Sequence, residues 1–150
     1  MQEISRDNRA MPQAPDFPIH TKRVVLAHVS LCRGCCCGAV EKGKPAVPVQ
    51  WMKNEWKQRG IKKSIQLTIS GCLGPCDLSN VVSFSSYAGT MWFGALREPS
   101  NYTALVDWAS ASVNLGHLLP VPPELNEFRF NPFRSPGEGI FANELTGEPS

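Results

Sequence analysis

Hydrophobic positions change their spacing several times along this chain, and each change predicts a different element. Lys22 to Leu31 is a short run rich in apolar and β-branched residues, the mark of a buried strand. In Pro48–Arg59, Val49, Met52 and Trp56 recur at three and four residues, with Pro48 suited to a first helical turn and Gly60 to a C-terminal cap, so an amphipathic helix is expected. The spacing then drops to two. Over Lys63–Ser70, Ile65, Leu67 and Ile69 alternate with Ser64, Gln66, Thr68 and Ser70, predicting a strand with one buried face.

Two further strand-like runs, Asn80–Tyr87 and Thr90–Leu96, flank Ala88-Gly89 and predict an antiparallel hairpin. Ser100 can cap a second helix in which Tyr102, Leu105, Val106, Ala109 and Val113 share a face and which Gly116 ends. The ends differ in character. Residues 1–20, with Pro12, Pro15 and Pro18 among polar neighbours, read as a flexible arm, and 119–150 as an irregular tail in which Phe128, Phe130 and Phe133 are candidate anchors. One folded domain is expected over 21–118.

The predicted order is β-α-β-β-β-α, an α+β domain with a mixed sheet and helices packed on it. A strand-helix-strand crossover almost always joins parallel strands. The C-terminal ends of the first two strands therefore lie on one sheet edge, and both run directly into cysteines.

Composition narrows the chemistry. At 150 residues and 42% hydrophobic content the chain can bury a core of its own. No apolar run approaches the roughly 20 residues of a membrane span. The N-terminus lacks the charged-then-apolar order of a secretory signal, so a cytoplasmic location is expected, where clustered cysteines favour metal or redox chemistry over disulfides. Net charge is only +2 and the basic residues are scattered, which gives no support to nucleic-acid binding. No triad, carboxylate pair or phosphate loop points to an enzyme.

The six cysteines fall in two loops: Leu31-Cys32-Arg33-Gly34-Cys35-Cys36-Cys37-Gly38 and Ser70-Gly71-Cys72-Leu73-Gly74-Pro75-Cys76-Asp77. A binuclear iron–sulfur cluster takes four thiolates from backbone that can approach closely, and the glycines at 34, 38, 71 and 74 permit that approach. Cys32-x4-Cys37 followed by Cys72-Leu73-Gly74-Pro75-Cys76 resembles the thioredoxin-like [2Fe–2S] ferredoxins, a resemblance extending over about Lys22 to Gly116. It implies a thioredoxin-like fold, a one-electron carrier, and Cys32, Cys37, Cys72 and Cys76 as cluster ligands, with redox proteins as partners and a homodimer within the family's range. Cys35 and Cys36 are extra thiols, either of which can replace Cys37 after a small loop rearrangement. The wording Cys-Arg-Gly-Cys-Cys-Cys-Gly, followed by Gly-Lys-Pro-Ala-Val-Pro-Val-Gln-Trp, also resembles a bacterial subgroup associated with cobalamin-biosynthesis and cobalt-chelatase gene neighbourhoods.

Other readings compete. Four thiolates can hold a structural zinc ion, although zinc knuckles usually pair two Cys-x2-Cys turns. A Cys32-x-x-Cys35 dithiol leaves Cys72 and Cys76 without a role. A metal-handling or metal-sensing module, in which Cys35 and Cys36 exchange cobalt or zinc, is the main alternative to the electron carrier. His28 precedes the first loop and raises a mixed histidine–cysteine cluster, but a strand histidine is more often a packed or hydrogen-bonded one. His20 and His117 carry no signal. The four tryptophans read as packing, and Lys42, Lys44, Lys53, Lys57, Arg59, Lys62 and Lys63 as solvated faces able to form a basic rim for an acidic partner.

Overall fold

A computed structural model describes residues 17–34, 36–75 and 77–135; Cys35, Cys76 and both chain ends lie outside the described residues. The alternation of buried Ala27, Val29 and Leu31 with exposed His28 and half-buried Ser30 forms β1, Ala27–Cys32. The apolar run predicts a strand from Lys22, but β1 begins five residues later, because its parallel partner β2 (Ile65–Ser70) offers no extended chain before Ile65. A 3-10 turn at Ile61–Lys63 occupies that position, and Val24 is left in solvent. The crossover helix α1, Val49–Gln58, buries Met52 and Trp56. Its Trp56 Nε1 donates to the Ile65 carbonyl at 2.8 Å, tying the helix to the head of β2.

The hairpin forms as expected, from β3 (Val82–Ser86) and β4 (Gly89–Phe93), and β3 pairs antiparallel with β1. Helix α2, Pro99–Leu115, buries Tyr102, Leu105, Val106, Trp108 and Ala109 and ends at a left-handed Gly116. Its cap is not Ser100. Pro99 takes the first turn, and Glu98 forms a capping box with Asn101, whose Oδ1 accepts from the Glu98 and Arg97 amides at 2.9 and 3.0 Å.

The stretch after Leu119 is more ordered than its composition implies. Residues Pro123–Asn126 form the short helix α3, and Arg129–Phe130 form β5, which pairs antiparallel with β4. Leu125 and Phe128 are buried as anchors. A close approach makes room for β5: a Cβ on Gly94 would stand 2.9 Å from Phe130 and 3.0 Å from Leu78.

The sheet order is β2-β1-β3-β4-β5, with β1 and β2 parallel and the other pairs antiparallel. This is the α+β arrangement, a mixed sheet with helices packed on it, that the element order implied. The main core lies on one face, where α1 and α2 cover Val29, Leu31, Val82, Phe84 and Phe93. Hydroxyl-bearing positions occupy the other, with His28 Nε2 and Thr68 Oγ1 at 2.8 Å and Ser85 Oγ and Thr90 Oγ1 at 3.0 Å. A smaller apolar cluster of Cys32, Cys37 and Val81, packed by Leu73, Leu78, Trp92 and Phe130, marks the cysteine end. Among the described residues no helix is long and apolar enough to cross a membrane.

Candidate metal centre at the cysteine loops

The parallel register that pairs Cys32 with Ser70 brings both cysteine loops out of the same sheet edge. Two backbone bonds fasten that exit: the Arg33 amide donates to the Ser70 carbonyl, and the Cys32 amide to the Val81 carbonyl, each at 3.0 Å. The first loop then reverses tightly. Gly34 and Cys37 exchange amide-to-carbonyl bonds at 3.0 and 2.9 Å, and the Ala39 amide closes onto the Cys36 carbonyl at 3.2 Å. This turn leaves Cys37 3% exposed, like Cys32, while Cys36 is half-buried.

The second loop carries Cys72 at the surface, where the Gly74 amide donates to its sulfur at 3.3 Å. One small pocket is lined by the thiol-bearing residues Cys32, Cys36, Cys37 and Cys72, closed by Leu73, Pro75 and Val81. Its wall is apolar apart from the sulfurs and backbone. Within it the Cys37 thiol and the Leu73 backbone are close enough to Cys32 to act on its proton. Three of the four expected ligands, Cys32, Cys37 and Cys72, are thus gathered together with Cys36; Cys76 and Cys35 lie outside the described residues. Among the described residues, no three His, Cys, Asp or Glu side chains are grouped as ligands of a single ion. His28 does not line the pocket: it sits on the open sheet face with Thr68.

Burial, reinforced by the Cys37 thiol and opposed by the Leu73 amide, pushes the Cys32 thiol up to about 12. Tyr102 of α2 also has its phenol raised, first by burial and then by the Cys37 and Cys32 sulfurs. Among the described residues, Tyr102 Oη and Trp92 Nε1 are buried without a hydrogen-bond partner. Between the ordinary thiol value of 9.0 and about 12, the folded metal-free chain keeps a proton at Cys32 that the unfolded chain has lost. This contribution to stability is complete below pH 9.0 and declines as pH rises, and Tyr102 adds a loss of the same sign above its ordinary 10.0. Thermal melts of metal-free protein from about pH 7.5 to about 10.5 should show a melting temperature that falls only above about pH 9; a rise over that range would contradict the buried thiol.

Sequence pattern did not reveal Asn80. It is 1% exposed, and its side chain bridges the first cysteine loop to two other segments: Oδ1 accepts from the Gly38 amide at 2.6 Å, and Nδ2 donates to the Pro45 and Leu96 carbonyls at 2.9 and 2.8 Å. A lone Asn between Ser79 and Val81 gives no periodic signal.

No protein-family model matches the sequence, and no curated protein matches it. Among solved structures the chain is similar to the thioredoxin-like [2Fe–2S] ferredoxin from Aquifex aeolicus. The wild-type protein aligns with a TM-score of 0.38 at 15% identity, over 72% of this chain and 99% of its own. A cysteine-to-serine variant of it aligns with a TM-score of 0.36 at 16% identity, over 70% and 98%.

The donor set fits a thiolate-bound metal group. Soft sulfur donors from two loops face one apolar pocket, and the Gly74 amide already donates to a sulfur there, as amides do around bound thiolates. Loading such a group requires loss of the Cys32 proton, so binding would release protons.

Proposed function

We propose that this protein holds a [2Fe–2S] cluster and serves as a one-electron carrier. The observation that carries this reading is the meeting of the two cysteine loops at one pocket. There Cys32 and Cys37 from the first loop face Cys72, the first residue of the Cys-Leu-Gly-Pro-Cys motif in the second. Cys76 completes the ligand set by its place in that motif, with Cys35 and Cys36 as alternates. When bound, the cluster supplies a centre that gains and loses a single electron. The chain's own part is to present the thiolates, to donate the Gly74 amide to sulfur, and to exclude water with Leu73, Pro75 and Val81.

The partners in this reading are redox proteins. The exposed Lys42, and the exposed lysines 53, 57, 62 and 63, suit an acidic docking surface. By resemblance a cobalamin-biosynthetic setting and a homodimer are part of the same proposal, with a cytoplasmic location.

Anaerobically purified protein tests the reading. It should be red-brown, contain about two irons and two sulfides per chain, and give a one-electron paramagnetic signal on reduction. The extra thiol of Cys36 in the pocket favours one competing outcome, a metal-handling protein. A colourless, zinc- or cobalt-loaded product that stays spectroscopically silent after cluster reconstitution would sink the ferredoxin reading in its favour.

A further inference from the structure

Three consecutive cysteines offer the first loop more thiols than it needs, and the fold contains a device that distinguishes two of them. The Cys37–Gly38 peptide is held from both sides. Its amide donates to Asn80 Oδ1 at 2.6 Å, and Gly38 itself has a left-handed φ of 70° with Val47 against it, where a Cβ would meet Val47 Cγ2 at 3.1 Å. Asn80 is in turn immobilised. Both of its amide protons are used, on Pro45 and Leu96, and its own backbone, like that of Ser79, is left-handed at φ 45° and 55°. A non-glycine pair in that region persists only where its surroundings hold it. Asn80 also stands next to Val81, whose carbonyl accepts from the Cys32 amide. One buried side chain thus sets the distance between the segment leaving the second cysteine loop and the residue that follows Cys37.

Cys36 has no comparable anchor among the described residues. Its carbonyl is bonded to the Ala39 amide within the turn, but the residue is half-buried, whereas Cys37 is 3% exposed and packs in one buried cluster with Cys32. We propose that Asn80 is a positioning residue that selects Cys37 over Cys36 as the partner of Cys32. It does so by fixing the Gly38 amide so that the loop cannot slip by one residue. The choice of Cys37 as a cluster ligand rests on the ferredoxin reading, but the hold of Asn80 on the loop exists without metal. Losing it would leave the Leu96 carbonyl buried without its partner and the Gly38 amide and Pro45 carbonyl half-buried without theirs, a penalty that favours movement of the loop.

The test has a metal-free arm and a loaded arm, both on the full chain. In metal-free wild type, iodoacetamide labelling followed by tandem mass spectrometry should modify Cys36 about tenfold or more faster than Cys37, and the Gly38 amide should exchange with deuterium slowly. Asn80→Ala should bring the labelling ratio toward unity. Asn80→Asp keeps an acceptor for Gly38 but sets a carboxylate oxygen against the Pro45 and Leu96 carbonyls, so the ratio should fall part-way toward unity. On reconstitution with ferrous iron and sulfide, Cys36→Ser should take up iron and give the wild-type paramagnetic spectrum, and Cys37→Ser should not. The double variant Asn80→Ala/Cys37→Ser should regain a cluster with an altered spectrum. Fast exchange at Gly38, a labelling ratio indifferent to Asn80, or equal defects in Cys36→Ser and Cys37→Ser would each overturn the proposal. Should Asn80→Ala fail to fold, wild-type exchange and the two cysteine variants still decide. A wild type that takes up no iron overturns the ferredoxin reading instead, and the labelling and exchange results then decide by themselves whether Asn80 holds the loop.

Discussion

Cys72→Ser should strip the protein of its iron while leaving the fold as stable as before. The two halves of this expectation come from different properties of one residue. Cys72 is exposed on the second loop, so exchanging sulfur for oxygen removes no packing, and unfolding of the metal-free protein should shift by no more than about 0.5 kcal/mol. Its sulfur nevertheless faces the pocket shared with Cys32 and Cys37 and already accepts the Gly74 amide. Loss of an outer-sphere partner alone costs metal sites about 10–100-fold in affinity, and loss of a ligand should cost at least as much. Iron per chain, measured after reconstitution and desalting, should therefore fall about tenfold or more. Cys32→Ser should lose iron to the same degree, but with a stability cost as well, because it places a hydroxyl in the small apolar cluster with Val81 and Cys37. Full iron content in Cys72→Ser would remove the second loop from the metal centre.

The frame that underlies this expectation is legible from residue spacing. The period of two in Ile65, Leu67 and Ile69 and the three-to-four spacing of Met52 and Trp56 define a crossover, and a crossover places both strand ends on one edge. The observed Cys32–Ser70 pairing is that prediction in atomic form. What is illegible depends on partners distant in the chain. The first residue of β1 is set by where β2 begins, not by the apolar run from Lys22, which is why Val24 and Val25 are exposed despite their propensity. Strand β5 is two residues long, too short for any period, and exists because Gly94 leaves space for Phe130 beside β4. Ser100 is not the cap of α2 because Glu98 and Asn101 perform the reciprocal capping that Ser-x-x-Glu usually signals. Three adjacent cysteines look alike in sequence; burial separates Cys36 from Cys37 only once the tight turn and the Asn80 bonds are formed.

The two apolar clusters divide the labour between folding and chemistry, and Phe84→Ala should expose the division. Phe84 is fully buried on β3, the strand between β1 and β4, and its ring stacks on Trp108 of α2 with centroids 4.5 Å apart. Trp108 in turn meets the edge of Phe93 at 6.1 Å and donates its Nε1 to the Leu119 carbonyl, so this ring joins sheet, helix and C-terminal segment. Truncating Phe84 removes a large buried surface at a site where rigid neighbours from three elements cannot collapse together, and should cost about 3–5 kcal/mol. For a chain of this size that corresponds to a fall in melting temperature on the order of 6–20 °C. Ser85→Ala, one residue along but on the open hydroxyl face, should change stability by less than about 0.5 kcal/mol. Phe84 does not line the cysteine pocket. Below its lowered melting temperature, the variant should accordingly take up iron to the wild-type level with an unchanged spectrum, since Cys32, Cys37 and Val81 pack in the separate cluster at the sheet edge. A spectrum altered in the still-folded Phe84→Ala protein would show that the main core, and not the loop bonds alone, sets the geometry of the thiols.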